Sequence, residues 1–438
     1  MGKVLISFLG TGRKDKNENS KRRYEPALYG IEGKTYEDSL IAHALMEHFA
    51  IDKIFLLGTV HSMWEEVYYK FAATIDEEYW EDLGLQCESA TSETPLNSLD
   101  LSRVEQAMGE GSHSILINYG LDKEQLDENT KNVMQIASYL QEGDELFVDI
   151  THGFRSLPLY IMNLLIYIKN LSDKNIQIKK ICYGMFEAKT SDGVTPIVDL
   201  TSIIQINDWI TGAYAFKEYG HGYQIASLLQ DNKDIYNKLT TFSNAMNLND
   251  YYKIIASSRE LETIKGKFED PISQFVVPPV IDSFKNKFNA TKESKALLAI
   301  TDWHFKHANY ASAYLTIIQC ILEFVCESCQ FQVNEEMDKM ECAKVVLGKT
   351  KTYLPNPEKV KDKYWGIVPS IDKLEAVYRA VNCIRNAIAH PKTNNPNELE
   401  SRFKELCRLA NYKVENKGVV VEIKILGLSI EMLKKIIK

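Results

Sequence analysis

Hydrophobic residues in the first 200 positions form short continuous runs, a pattern typical of strands that are buried on both faces of a parallel sheet. We predict strands at 4–9, 53–57, 114–118, 146–150 and 180–183. Helical periodicity separates several of these runs and predicts helices at 37–49, 127–140 and 156–170. This alternation predicts a doubly wound α/β domain with a Rossmann-like sheet. A β-hairpin is predicted within 22–34, before the first helix, from its aromatic residues and two glycines.

From about residue 204 the hydrophobic positions follow the 3.6-residue period of amphipathic helices. We predict helices at 207–229, 234–247, 251–267, 294–307, 311–329, 334–347 and 371–389. Three prolines within 270–279 predict a break between helices, and the valine-rich run 418–426 predicts a strand. We therefore expect three parts: an α/β domain at 1–205, a helical connector at 206–300 and an all-α domain at 301–438.

Composition and charge narrow the class of protein. The chain has 438 residues, of which 45% are hydrophobic and 25% are charged, as expected for two or three globular domains. A net charge of −9 excludes a general nucleic-acid coat protein. The longest apolar stretches, 157–168 and 311–325, are too short or too interrupted to span a membrane, and no signal-peptide pattern is present. Eight cysteines without a disulfide pattern favour reduced thiols, so we expect a cytoplasmic protein without a membrane partner.

Small and polar residues follow the first two predicted strands. In an open parallel sheet, ligands bind beyond the carboxyl ends of the strands. Gly10, Thr11, Gly12 and Arg13 follow the first strand, and Thr59 follows the second. Small residues there let backbone amides approach a phosphate, so we predict that these residues bind a ligand. Their spacing is not the G-x-G-x-x-G fingerprint, which disfavours a nucleotide-dependent oxidoreductase.

The most specific pattern of the first half is D-I-T-H-G at 149–153, between a predicted buried strand and a helix. Backbone N–H groups at the start of that helix favour an anion. Thr151 and His152 add hydrogen-bond donors, Arg155 adds a positive charge, and Gly153 lies in the turn. We predict that these four residues line the same ligand site.

A second candidate site lies near the end of the chain, where His390 follows Arg385 by five positions. We predict that Ser370 caps the helix that carries Arg385 and that this helix ends at His390, because a proline follows. An arginine can hold a phosphate, and a histidine can transfer a proton near neutral pH. Asn386 could orient either group. These three residues could therefore form a metal-free ribonuclease centre.

The helical phase of this pair favours a site built from two chains. The predicted buried stripe of the helix includes Arg385 and six apolar residues: Leu374, Val377, Tyr378, Val381, Ile384 and Ile388. Five residues of helix place His390 about 140° around the axis from Arg385, so a second copy could complete the site. The alternative is a structural role, with Arg385 paired to an acidic residue at an interface and His390 favouring the helix dipole.

Two further pairs have spacings that can bind zinc. They are His304 with His307 and Cys326 with Cys329. Both pairs lie in helical, partly apolar stretches, where small buried cysteines are common. We therefore predict no metal site.

The D-x-T-H-G segment makes the first half resemble a CARF domain, and the R-x4-H pair of the second half resembles a HEPN domain. The whole chain thus resembles the CARF–HEPN ribonucleases of type III CRISPR systems, in the family of Csx- and Csm-type accessory proteins. The resemblance implies a homodimer, or a higher oligomer of dimers, without a cofactor. Its CARF domains would bind a cyclic oligoadenylate, most readily cyclic tetra-adenylate, at Thr11 and the Thr151–Gly153 turn.

The resemblance further implies the activity. The HEPN dimer would cleave single-stranded RNA without a metal, through Arg385, Asn386 and His390, and leave 2′,3′-cyclic phosphates. Two alternatives remain open at the level of sequence. The protein could be a non-catalytic sensor or dimeric adaptor for the same ligand, or it could also degrade its own cyclic activator as a ring nuclease.

Overall fold

The computed structural model of the chain describes residues 2–12, 24–153, 156–331, 338–390, 395–412 and 419–437. The chain divides into two units, Met1–Asn207 and Asp208–Lys438. The first unit is a mixed α/β domain, and the second is helical throughout its described residues. This confirms the predicted fold class of an α/β amino-terminal part followed by an all-α carboxyl-terminal part.

The first unit is built on a single eight-stranded sheet among its described residues, in the order β3-β2-β8-β7-β6-β1-β4-β5. The five predicted strands, β5-β4-β1-β6-β7, pair in parallel, whereas β7 with β8 and β2 with β3 pair antiparallel. The strands are β1 Lys3–Phe8, β2 Ala27–Ile31, β3 Lys34–Asp38, β4 Lys53–Gly58, β5 His113–Leu116, β6 Glu145–Asp149, β7 Gln177–Gly184 and β8 Val194–Asp199.

Helices cover both faces of the sheet. They are α1 Ile41–Phe49, α2 Trp64–Phe71, α3 Glu77–Ser89, α4 Ser102–Met108, α5 Lys123–Tyr139 and α6 Leu157–Leu171, with 3-10 turns at Leu96–Ser98 and Phe186–Ala188. In β1, Val4, Ile6 and Phe8 belong to the hydrophobic core with α5 and α6, whereas Leu5 belongs to the core with α1–α4. Because both faces of this strand are buried, its apolar run is continuous rather than alternating.

The inserted hairpin is confirmed, but its extent differs from the prediction. β2 and β3 pair antiparallel around Glu32 and Gly33, both of which have positive φ angles. The predicted helix 37–49 therefore begins only at Ile41, because residues 34–38 form the second strand of the hairpin. Strand β8 was not predicted, since Pro196 lies within it. A proline is unusual inside a strand because it cannot donate a ladder hydrogen bond.

The second unit contains two hydrophobic cores. One joins residues from Trp209 to Trp303, and the other joins residues from Leu297 to Ile437. The helices of the first core are α7 Ser202–Tyr219, α8 Tyr223–Leu228, α9 Lys233–Asn247, α10 Tyr251–Leu261, α11 Pro271–Phe288 and α12 Glu293–Lys306. The first of them, α7, begins just before the boundary between the two units. The helices that follow are α13 Tyr310–Cys329, α14 Lys339–Val346, α15 Pro357–Tyr364, α16 Ile371–Ala389, α17 Pro396–Ala410 and α18 Val421–Ile436. The 3-10 turns of this unit are Glu262–Ile264 and Trp365–Ile367.

The predicted break at 270–279 is wrong. Asp270 caps α11 through its side chain, which accepts hydrogen bonds from the backbone N–H groups of Ile272 and Ser273. The helix then continues through Pro278 and Pro279. Burial of the apolar face of α11 in the core outweighs the two backbone hydrogen bonds that these prolines remove.

The predicted strand at 418–426 is also wrong. Residues from Val421 onward form α18, and Ile425, Leu426 and Leu433 lie in the hydrophobic core at helical spacing. The valines favour a strand locally, but the packing of a complete helical face determines the structure of this segment.

The most apolar helix of the second unit is α13. Within the described residues it is the one helix whose length and composition would allow it to cross a membrane. However, 67% of that window is buried inside the protein. Helix α13 packs against α12, α14 and α16 and is therefore a core helix of this unit.

His304 lies on α12 with a fully buried imidazole, and neither ring nitrogen has a hydrogen-bond partner among the described residues. Burial, with a smaller contribution from His307, lowers the pKa of His304 to about 4. In the unfolded chain the pKa of a histidine is about 6.5. Between these two values only the unfolded state binds the proton, so native stability decreases as the pH falls from 6.5 to 4.

We expect His304→Leu to make the protein less sensitive to acid. Between pH 7 and pH 4.5, the free energy of unfolding of the wild type should fall by about 2 kcal/mol more than that of the variant. Urea unfolding followed by tryptophan fluorescence measures this difference, because Trp303 lies beside His304. A matched control is His221→Leu, at a half-exposed histidine. Equal pH dependence of wild type and His304→Leu would contradict the assignment.

Candidate functional site

A buried carboxyl group organises the end of β6. The Asp149 side chain is fully buried and accepts a hydrogen bond of 2.6 Å from the Ser7 hydroxyl on β1. The backbone N–H of Thr151 donates to the other carboxyl oxygen at 3.0 Å, and the Thr151 hydroxyl donates to that same oxygen. The Thr151 hydroxyl also accepts from the Gly184 backbone N–H at 2.8 Å. These bonds fix the ends of β1, β6 and β7 relative to one another.

Asp149, which is fully buried, and His152, which is partly buried, are neighbouring titratable groups. Burial raises the pKa of Asp149, and the hydrogen bonds from Ser7 and Thr151 oppose this increase. Burial lowers the pKa of His152, and the nearby Asp149 opposes this decrease. The neutral imidazole of His152 has one donor and one acceptor nitrogen. His152 can therefore both donate and accept a hydrogen bond at neutral pH.

His152 lies between aromatic rings that the sequence did not single out as site residues. Its ring centroid is 5.7 Å from that of Tyr24 and 5.7 Å from that of Phe186. A Cβ atom added to Gly10 would lie 3.6 Å from Cβ of His152, so the loop after β1 is adjacent to the turn after β6. The structure thus brings together the predicted residues Gly10 and His152.

Two glycines of the predicted site are required by close packing. A Cβ atom on Gly153 would lie 2.9 Å from the ring of the buried Phe8. Gly12 has a φ angle of +66°, and a Cβ atom there would overlap the sulfur of Met63. Non-glycine residues rarely adopt this φ angle, so Gly12 is required by its backbone conformation and Gly153 by its close contact with Phe8.

Thr59 makes hydrogen bonds within the turn after β4. It is buried, its backbone N–H donates to the Ser62 hydroxyl at 2.9 Å, and its hydroxyl lies 3.2 Å from the same oxygen. The Ser62 hydroxyl in turn donates to the carbonyl oxygen of Leu9. These bonds hold the loop after β1, and the predicted contact between Thr59 and a ligand stays a prediction. Thr11, in contrast, is half-exposed.

Two positively charged residues predicted for this site, Arg13 and Arg155, lie outside the described residues. The same is true of the basic segment that follows Arg13. Their contribution to the ligand site stays a prediction.

Helix α16 carries the second candidate site and has the predicted bounds. It runs from Ile371 to Ala389, and His390 follows with an extended backbone. Ser370 adopts a left-handed conformation and its side chain makes no capping bond, so the predicted cap is wrong. The predicted buried stripe is correct for Leu374, Val377, Tyr378, Val381 and Ile384. Ile388 is 42% exposed, because the last turn of the helix extends beyond the core.

Arg385 lies at the boundary between the buried and the exposed parts of α16. It is half-buried, and one terminal nitrogen donates to the Asn386 side chain at 3.1 Å. Its Nε is buried and has no hydrogen-bond partner among the described residues. Glu375, a candidate partner upstream on the same helix, is paired with Arg379 instead. The guanidinium group therefore retains donors for a ligand.

Arg385 opens into a cleft of about 350 Å³ within the second unit. The cleft is bounded by the α9–α10 turn, α13, α14 and α16. No acidic side chain is among its described lining residues, which are Leu248, Asn249, Tyr251, Leu315, Ile318, Gln319, Leu322, Lys344, Tyr378, Asn382 and Arg385. A cleft with two cations and without carboxylates favours an anionic ligand.

The predicted catalytic residues occupy one end of α16. Arg385 and Asn386 are in direct contact, and His390 lies exposed at the helix terminus. The proposed completion of the site by a second copy stays a prediction, as does the role of each residue.

Two family models match this chain. Residues 4–187 match the CARF domain of the CRISPR system endoribonuclease Csx1. Residues 205–294 match the second domain of the CRISPR-associated protein MJ1674. The first unit, with its parallel sheet and the D-I-T-H-G turn at the end of β6, is a CARF domain.

The match extends to a curated relative. The chain is 30% identical over 413 residues to the CRISPR-associated protein MJ1674 of Methanocaldococcus jannaschii, covering 89% of this chain and 62% of that protein. The chain thus spans less than two thirds of the length of this relative. A solved structure of Enterococcus italicus Csm6 bound to cyclic hexa-2′-fluoro-hexa-dAMP aligns over 99% of this chain and 93% of that one, at 10% identity and a TM-score of 0.37.

These matches show a CARF domain in the first unit, and over most of its length the chain is similar to a CRISPR-associated protein.

Several residues of the first site were not predicted from the sequence. Ser7 lies within an apolar strand, where a single serine gives little signal. Tyr24 and Phe186 are distant in sequence from His152 and from each other, so only the fold brings the three rings together. Asp149 was visible as part of its motif, but its burial and its hydrogen bond to Ser7 were not.

We expect Thr151→Val to loosen the loop after β6, because it removes a donor from Asp149 and the acceptor of the Gly184 N–H. A buried polar group left without its partner costs about 1–3 kcal/mol. The Gly184 amide should therefore exchange with solvent at least about tenfold faster in hydrogen–deuterium exchange. Thr151→Ser keeps the hydroxyl and should preserve protection. Unchanged protection of Gly184 in Thr151→Val would contradict the hydrogen-bond network.

Proposed function

We propose that this protein is a cyclic oligoadenylate-activated, metal-independent endoribonuclease that cleaves single-stranded RNA in type III CRISPR antiviral defence. The observation that carries the proposal is the buried Nε of Arg385, which has no partner among the described residues and lies beside a cleft whose described lining contains no acidic side chain. Two comparisons support it. The CARF model that matches is named for an endoribonuclease, and the curated relative is CRISPR-associated.

The residue types account for cleavage without a metal. RNA supplies its own nucleophile, the 2′-hydroxyl, which attacks the adjacent phosphorus as the bond from phosphorus to the 5′-oxygen breaks. The guanidinium of Arg385 stabilises the negative charge that develops on the phosphate oxygens. His390 accepts the proton of the 2′-hydroxyl or donates one to the leaving 5′-oxygen. The products are a 2′,3′-cyclic phosphate and a 5′-hydroxyl.

The positions of Arg385 on α16 and of His390 just after it support a homodimer. Arg385 faces the cleft, whereas His390 lies beyond the last helical turn on an extended backbone. Two copies of the helix related by a twofold axis would place two arginines and two histidines in one active site. Asn386, already bonded to Arg385, would hold the guanidinium in orientation.

The sensing role belongs to the CARF domain. Thr11, His152 and Gly153 would contact the cyclic oligoadenylate, and the predicted activator is cyclic tetra-adenylate. A neutral His152 between aromatic rings offers both hydrogen bonding and a stacking surface for adenine. The Thr151 hydroxyl is already engaged by Asp149 and Gly184, which disfavours it as the group that positions a ribose for ring cleavage.

The proposed division has three domains: a sensing domain at 1–205, a connector at 206–300 and a HEPN ribonuclease domain at 301–438. The family match at 205–294 supports a separate connector. The two hydrophobic cores of the second unit also support it, because one core ends at Trp303 and the other begins at Leu297.

We expect Arg385→Ala to reduce the rate of RNA cleavage by about 10²–10³-fold and His390→Ala by about 10²–10⁴-fold. The assay is a fluorescent single-stranded RNA reporter with activator and EDTA. Arg379→Ala is the matched control, since this exposed arginine lies on the same helix and pairs with Glu375. Full activity of either Arg385→Ala or His390→Ala would exclude this site as the nuclease.

We expect cleavage to depend on a cyclic ligand, since gating requires a ligand that binds one state of the dimer more tightly than the other. In the same assay, cyclic tetra-adenylate should stimulate cleavage more than the cyclic tri- or hexa-adenylate, and linear tetra-adenylate serves as the control. Equal rates with and without every ring would contradict activation. Binding of the ring without any RNA cleavage would favour the adaptor alternative.

A further inference from the structure

The cleft beside Arg385 contains a second cation, Lys344 of α14. Its ammonium group lies 3.4 Å from a carboxylate oxygen of Glu341. Glu341 has a closer partner in Lys349, at 2.6 Å from its other oxygen. The carboxylate of Glu341 is therefore shared between two lysines, and its contact with Lys349 is the closer one. Among the described residues, these two lysines and one carboxylate keep a net charge of +1, and Lys344 faces the same cleft as Arg385.

An unengaged amide lies between Tyr378 and Arg385 on the cleft face of α16. Asn382 follows Tyr378 by four residues and precedes Arg385 by three, so the three side chains share one face of the helix. Of the amides among the described lining residues, Asn249 is bonded to Thr316 and Gln319 to Glu323. The Asn382 side chain makes no hydrogen bond to any described residue. Its donor and its acceptor both remain available.

The rest of the cleft is apolar and aromatic. Tyr251 and Tyr378 contribute rings, and Leu315 and Leu322 on α13 contribute aliphatic side chains. A planar, partly polar group would find stacking surface there together with one adjacent donor and acceptor. Two cations, two aromatic rings and an available amide in one cleft match the chemistry of a nucleotide, with its phosphate and its base.

We infer that this cleft is a nucleotide subsite that selects the base at which RNA is cut, an inference that rests on the proposed ribonuclease function. Arg385 and Lys344 hold the phosphate, and Asn382 hydrogen-bonds to the edge of the base. The amide discriminates because each base presents a different arrangement of donors and acceptors. A volume of about 350 Å³ is within the range of small-molecule pockets and suits one nucleotide.

The first test measures base preference. Four RNA reporters differ only in the base at the cleavable position and are compared in wild type, Asn382→Ala and Asn382→Asp. The wild type should prefer one base by about tenfold, as a pair of base-specific hydrogen bonds allows. Asn382→Ala should reduce the preference to about twofold or less, and Asn382→Asp, which only accepts, should change the ranking. Asn237→Ala, at an exposed asparagine of α9, is the matched control.

The second test measures binding without cleavage. A DNA oligonucleotide lacks the 2′-hydroxyl nucleophile, and its affinity is followed by fluorescence anisotropy at several salt concentrations. Lys344→Ala should weaken binding about tenfold. It should also lower the slope of log affinity against log salt by about 0.7, the value for one phosphate contact on a single strand. Lys373→Ala is the matched control, since Lys373 is exposed on α16 and does not line the cleft.

The two tests separate this inference from the proposed function. If the wild type cleaves RNA but Asn382→Ala and Lys344→Ala retain its base preference and its affinity for the DNA, the subsite is overturned and the ribonuclease stands. If no RNA is cleaved under any condition but both variants lose affinity for the DNA, the ribonuclease fails and nucleotide binding in the cleft stands. Circular dichroism of each variant confirms that it is folded.

Discussion

The buried carboxyl group of Asp149 is the constraint on which the amino-terminal unit depends. A carboxyl group without hydrogen-bond partners inside a protein costs several kcal/mol, so donors must surround it. The Ser7 hydroxyl comes from β1, and the Thr151 hydroxyl and amide come from the turn after β6. Thr151 then connects to Gly184 at the end of β7. Satisfying one side chain therefore fixes the turns that form the predicted ligand surface, before any ligand binds.

In the helical unit, the corresponding constraint is the buried face of α16. Val377, Val381 and Ile384 fix the rotation of the helix in the core. That rotation turns Arg385 and Asn382 toward the cleft, where the Nε of Arg385 and the amide of Asn382 have no partner among the described residues. A buried, unpaired guanidinium nitrogen lowers stability, and such a cost is common where a site must leave donors free for a ligand. The packing of the core thus positions polar groups whose hydrogen-bonding capacity the core itself does not satisfy.

Much of the fold could be predicted, and the errors share one cause. The continuous apolar runs of the parallel strands are unambiguous because both faces of the sheet are covered, and the bounds of α16 follow from the phase of its apolar residues and the proline after His390. The prolines of α11 predicted a break between helices, and the valines near the start of α18 predicted a strand. Both predictions failed because burial of a whole helical face outweighs the local preferences of a few residues.

For the sites, the sequence by itself determined which groups stand next to one another in the chain: the turn of residues 149–153, and Arg385 with Asn386. Only the tertiary structure decided which of these groups remain available. It buries Thr59, engages the Thr151 hydroxyl with Asp149, and leaves Asn382 without a partner among the described residues in a cleft that a lysine of another helix also lines. The physical reason is that a hydrogen bond or an ion pair joins groups across the fold, whereas periodicity along the chain reports only which face of an element is buried.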